Sequence, residues 1–93
     1  MISLEDCLAL CGLTKEEVDA LAEHEHIPQI AAMALGQYLL SQPNGCTKIC
    51  DMILEDIGRA RGRGDGSHAR ELTLILRNFM SSHPEVGKLP RLR

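Results

Sequence analysis

Pro28-Gln29-Ile30-Ala31-Ala32-Met33-Ala34-Leu35-Gly36-Gln37-Tyr38-Leu39-Leu40 is the stretch whose reading settles the fold class. A proline with its φ already set for a helix opens the run, and apolar side chains then point in nearly every direction around the axis. A helix apolar all round is one that its neighbours wrap. The segment, extended to about Ser41, is therefore expected as the central element of a helical assembly.

Upstream of it, Thr14-Lys15-Glu16-Glu17 has the form of a capping box, with Glu17 placed to reach back to the cap and acids in the first turn complementing the helix dipole. It predicts a helix from Lys15 to Glu25, closed before Pro28. Ser3 with Asp6 resembles the same signal and opens a shorter helix that Gly12 ends. Downstream, Pro43-Asn44-Gly45 is a break, and Ile49, Ile53 and Ile57 form one stripe of a helix running from Cys46 to Arg61. Gly62-Arg63-Gly64-Asp65-Gly66 reads as a loop, Ser67 as the next cap, and Leu72, Leu76, Phe79 and Met80 as a buried stripe that stops at Pro84. No period-two alternation competes with these helices. The expected architecture is all-α, a compact single-domain bundle of about five helices over residues 1–84, with a flexible C-terminal tail over 85–93.

The 93 residues contain no Trp, one Tyr and one Phe, so the core must be aliphatic, with Met and Cys filling gaps. Recognition of nucleic acid by stacking bases on aromatic platforms is nearly excluded. Charge is segregated along the chain: residues 1–28 hold seven acids against one lysine, whereas residues 59–93 hold eight basic residues against three acids. Such polarity can steer a partner or drive head-to-tail contact between copies. The chain turns acidic at once, without a basic and then apolar leader, and its four cysteines are read as reduced thiols. No apolar run approaches the roughly 20 residues of a membrane span, and the expected location is cytoplasmic.

Several constellations bear on function. Leu8, Gly12, Val18 and Leu21 are spaced as in a helix-turn-helix, but the would-be recognition helix carries Glu16, Glu17, Asp19 and Glu23, which repel a phosphate backbone. DNA reading is therefore not expected. Arg59, Arg61 and Arg63 beside a glycine loop offer three guanidiniums to a small anion or RNA, although a helix C-terminus also favours cations for its own dipole. Cys7 with Cys11, and Cys46 with Cys50, share helix faces with Leu4, Leu8, Ile49 and Ile53, which points to small core residues rather than a four-thiolate site.

Glu23-His24-Glu25-His26 is the densest polar cluster and contains a Glu-x-x-His spacing used in carboxylate-bridged metal sites, which need further carboxylates that Asp51, Glu55 and Asp56 on a second helix could supply. With Val18 as zero and about 100° per residue, Leu21 falls near roughly 300°, Ala22 near 40° and Glu25 near 340°. Glu25 is thus expected to turn inward, where it needs His26 or an arginine as partner. Catalysis finds no footing: no serine sits in a Gly-x-Ser-x-Gly turn, and the glycines at 58, 62, 64 and 66 follow a helix rather than a strand.

Ser3-Leu4-Glu5-Asp6-Cys7-Leu8-Ala9-Leu10-Cys11-Gly12-Leu13-Thr14, followed by Ala22-Glu23-His24-Glu25-His26-Ile27-Pro28 and the run to Leu40, resembles an uncharacterised family of small all-helical bacterial proteins over most of residues 2–83. The resemblance implies an all-α single domain and transfers no activity, ligand or site residue. The functional expectation is a non-catalytic protein-interaction or adaptor domain, meeting another protein or a second copy of itself, with no cofactor and no bound metal. A regulator that binds metal or an anion through the Glu23–His26 cluster or the Arg59–Arg63 loop is the alternative, and weak RNA association the third. Candidate binding residues are Glu25, His26, Arg59, Arg61 and Arg63.

Overall fold

The computed structural model describes residues 12–83, and all structural statements concern these. Among them stand four helices and no strand: α1 (Lys15–Glu25), α2 (Gln29–Leu40), α3 (Gly45–Gly62) and α4 (Gly66–Ser82). The helix expected after Ser3 and the tail expected over 85–93 lie outside the described residues. The bundle is all-α, and four of the five expected helices are observed where the sequence punctuation puts them.

The punctuation works through named hydrogen bonds. Thr14 Oγ1 accepts from the Glu17 amide at 3.2 Å while Glu17 Oε1 accepts from the Thr14 amide at 3.0 Å, the reciprocal pair that starts α1. His26 ends α1 in the left-handed region at φ 58°, and the Ile27 amide then donates to the Ala22 carbonyl at 3.1 Å. Between α3 and α4, Gly64 takes φ +79° and the Asp65 amide donates back to the Ala60 carbonyl at 2.8 Å. Asp65 also caps α4 by accepting from the His68 amide at 3.1 Å. The cap of α4 is thus Asp65 and not Ser67, because the glycine-assisted corner closes so tightly that one residue finishes α3 and starts α4.

The core is aliphatic, as composition demands: Val18, Leu21, Ile49, Ile53, Leu72 and Phe79 are the largest fully buried side chains. Among the described helices both α1 and α3 touch all three others, and α3 is the central element because its contacts, chiefly with α4, are the most extensive, whereas α2 packs on α1 and α3 along one face. Ala32, Met33, Gly36 and Leu39 line that face, while Ile30 is 66% and Tyr38 59% exposed. The expectation that α2 is wrapped on all sides is corrected here. Its all-round apolar pattern comes in part from Ala31 and Ala34, which cost little when left half-wet, so the pattern overstates burial. Gly36 lets α2 approach Leu13 and Leu21 closely, and Gly45 starts α3 with its Cα against the Leu39 carbonyl, where no side chain fits.

Candidate interaction groove

Two adjacent residues at the end of α1 reach in opposite directions. Glu23 turns to α4, where both its carboxylate oxygens lie 2.8 Å from His68 Nε2, and His68 Nδ1 lies 3.1 Å from Glu71 Oε1. His24 turns to α3, with Nε2 2.8 Å from Glu55 Oε1 and Nδ1 2.8 Å from Glu25 Oε2. Ionised carboxylates only accept, so each imidazole must donate from both nitrogens and be an imidazolium. The pKa of His68 is accordingly raised, by its hydrogen bonds to Glu71 and Glu23, which outweigh partial burial. For His24, burial opposes the charge, but hydrogen bonds to Glu55 and Glu25 and the nearby Asp56 carboxylate prevail and raise the pKa. The same hydrogen bond lowers the pKa of Glu55.

The Glu23–His68 clasp stands at one end of a groove of about 570 Å³ between the antiparallel α1 and α4, and Thr14 and Asn78 mark the other end. Its floor and lip are apolar, from Ala20, Leu72, Leu74 and Ile75. Its rim is acidic, from Glu16, Asp19, Glu23 and Glu71. Leu74, 57% exposed, stands open on the lip. Glu17 also lines this groove, yet it is only 2% exposed, and its Oε2 has no hydrogen-bond partner among the described residues. A desolvated carboxylate oxygen without a donor is unfavourable by about 1–3 kcal/mol, and a cationic group entering the groove would relieve it.

A second, shallower hollow of about 400 Å³ lies on the other side of α1, between His24, Glu25, Leu35, Leu39, Lys48 and Met52. Beside it, Asp56 is buried on the stripe of α3, and burial raises its pKa against the pull of His24 and Arg59. Arg59 donates to Asp56 Oδ1 at 3.1 Å and stands 3.9 Å from Glu55.

The residues singled out in the sequence are distributed as follows. Glu25 is exposed and accepts from His24, which corrects the expectation that it turns inward: α1 ends at this residue, so the extrapolated stripe has no core left to face. His26 is exposed and serves as the left-handed terminator, with no contact to Glu25 of the kind expected. The inward carboxylates are Glu17 and Asp56. Glu25 and Arg59 are nonetheless linked through His24 and Glu55. Arg61 is exposed on the last turn of α3, and Arg63 lies 3.8 Å from Asp65, so the three arginines do not converge on one point. Among the described residues no group of three or more His, Cys, Asp or Glu side chains is disposed to hold a metal ion, and the four-cysteine arrangement cannot be followed because Cys7 and Cys11 lie outside them. No helix among them is long and apolar enough to cross a membrane.

Two signals for the missed residues were in the sequence. Glu17 occupies the third position of the capping box, directly before buried Val18. Asp56 falls on the row Ile49, Ile53, Asp56, Ala60, spaced by four, three and four. Comparisons with family models, with curated proteins and with solved structures find no match to this chain.

Proposed function

We propose that this chain is a non-catalytic interaction domain whose α1/α4 groove receives a basic segment anchored by apolar side chains. The observation that carries the reading is Glu17: a buried carboxylate with one oxygen lacking a donor, set in a groove with an acidic rim and an apolar floor. The rim stays net acidic, since Glu23 and Glu71 share one His68 imidazolium, Asp19 pairs with Lys15 at 2.8 Å and Glu16 adds a further acid, and Leu74 with Ile75 give the surface a partner would dehydrate. A binding role is supported over chemistry by His68, whose two ring nitrogens are both engaged by carboxylates and so offer no lone pair as a base.

The test uses a short amphipathic Lys/Leu peptide carrying a fluorophore and a Glu/Leu counterpart of the same length. The Lys/Leu probe is expected to bind, more weakly as salt is raised, and the acidic counterpart not to bind. Glu17→Gln keeps the capping geometry, since Gln serves at that position, and should weaken the probe roughly three- to tenfold by removing the desolvated charge. Equal binding of both peptides, or no change on Glu17→Gln and Leu74→Ser, would overturn the assignment.

A further inference from the structure

Resting on the groove reading above, we infer that the occupant is the outer edge of α4 from a second copy, the two chains pairing about a two-fold axis that runs parallel to that helix. The edge consists of Arg70, Leu74 and Arg77, exposed residues spaced by four and three and so set on one face of α4. It is a basic segment with an apolar anchor, the chemistry the groove asks for. Among the described residues neither Arg70 nor Arg77 forms an ion pair, so both guanidiniums are available to a second molecule.

The basic strip and the acidic groove share one helix. With Leu74 as zero and about 100° per residue, Arg70 and Arg77 fall roughly 40° and 60° to one side, and Asn78 and Glu71 by the same angles to the other. Glu71 and Asn78 line the groove, which identifies their side as the one facing α1. Leu74, 57% exposed, stands on the ridge between the two signs of charge.

A two-fold axis parallel to α4 exchanges the two sides of the helix and leaves height along it unchanged, so the strip of each copy lies over the groove of the other and Leu74 meets its twin. The heights also agree. Glu23 faces His68 at one end of the groove and Thr14 shares the other with Asn78. At about 1.5 Å per residue, Glu23 and Glu71 then lie within roughly 3 Å of the level of Arg70, and Glu16 and Glu17 within roughly 3 Å of the level of Arg77. Helical side chains lean toward the N-terminus, which carries the second copy's Arg77 toward Glu17, whose Oε2 has no donor among the described residues. An axis across α4 would instead keep each side on itself and set arginine over arginine, so charge selects the parallel pairing. Ile30 and Tyr38 form another exposed apolar strip, but α2 carries no charged residue to fix a register.

The experiment follows average mass by light scattering over a concentration series of the full chain, with the Lys/Leu probe titrated in parallel at low salt. The mass is expected to rise from one chain toward two and to fall back as salt is added. R70E/R77E, which alters two exposed residues and leaves the groove intact, should weaken pairing by roughly tenfold or more while still binding the probe. E16R/E71R should not pair alone, and an equimolar mixture of the two variants should recover pairing, because one half of the mixed pair keeps its charges and the other exchanges both signs. A chain that stays single at every concentration while the probe binds overturns this inference and leaves the groove reading standing. Neither pairing nor probe binding overturns both. Pairing that survives R70E/R77E, or that Ile30→Ser removes, belongs to another surface and overturns the inference. Growth past two chains also overturns it, since a two-fold contact closes on itself.

Discussion

Raising the pH through the neutral range should loosen this bundle, and the size of the effect follows from the geometry of His68. Its imidazolium joins α1 to α4 through Glu23 at 2.8 Å and braces its own helix through Glu71 at 3.1 Å. The His68 side chain is 26% exposed, with Glu23 at 41% and Glu71 at 69%, so solvent screens both pairs. The intrahelical pair then contributes about 0.3–0.5 kcal/mol and the cross-helix pair about 0.5 kcal/mol, together about 1 kcal/mol. The folded-state pKa lies above the ordinary 6.5, so this stabilisation is complete below pH 6.5 and is lost as pH rises through the elevated value. His24 acts with the same sign. Glu55, with its pKa lowered below 4.5, acts with the opposite sign and loses its contribution as the solution becomes acidic. Stability is therefore greatest in the window between about pH 4.5 and 6.5. Thermal unfolding at pH 6 and pH 8.5, at constant ionic strength, should show a lower Tm at the higher pH, by roughly 4–8 °C for the His68 contribution in a domain of this size. His68→Asn should remove that part of the difference. A Tm that is unchanged, or that rises with pH, or a slope that survives both His68→Asn and His24→Asn, would refute the reasoning.

Three further outcomes follow from local geometry. Gly45→Ala places a methyl on the Leu39 carbonyl, so the α2–α3 corner must open and give up the Gly45-to-Gln42 and Gln42-to-Leu39 hydrogen bonds; urea unfolding should show a loss of about 3 kcal/mol or more. His26→Gly relieves a left-handed backbone in a residue with a Cβ and should raise stability by about 0.5–1 kcal/mol in the same assay, with a decrease counting against the assignment of His26 as a terminator. Asp56→Leu removes a buried carboxylate oxygen without a donor but leaves Arg59 its exposed position, so a change within about 1 kcal/mol of neutral is expected, and a loss above about 3 kcal/mol would mean that the Arg59 pair is worth far more than its exposure suggests.

Helix boundaries were legible because each is fixed by a few adjacent residues with a local mechanism: Thr14 and Glu17 exchange hydrogen bonds, Pro28 cannot continue a helix, and only glycine fits at position 45. The stripe of α3 was legible for the same reason of regular spacing. What the chain did not disclose is which helix lies at the centre. Hydropathy reports that α2 carries apolar surface but not how much of it neighbours cover, and α3, with charges on its outer side, makes the most extensive contacts among the described helices. The groove escaped because its parts come from α1 and α4, separated in sequence by some forty-five positions at the Glu23–His68 contact. The inward placement of Glu25 comes from extending an angular pattern past the point where the helix stops, while Glu17 reads in the sequence only as the capping partner of Thr14. An angle predicts burial only while there is a neighbour on that side.

The outward placement of Tyr38 on α2 has an optical consequence. It is the sole tyrosine in a chain without tryptophan, and it is 59% exposed. Its emission is already close to that of a hydrated phenol, so melting the core should alter the intrinsic fluorescence little. Quenching or brightening of that signal would instead announce that something has come to rest on the outer side of α2, which makes this chromophore a built-in sensor for contact there and a poor thermometer for the interior.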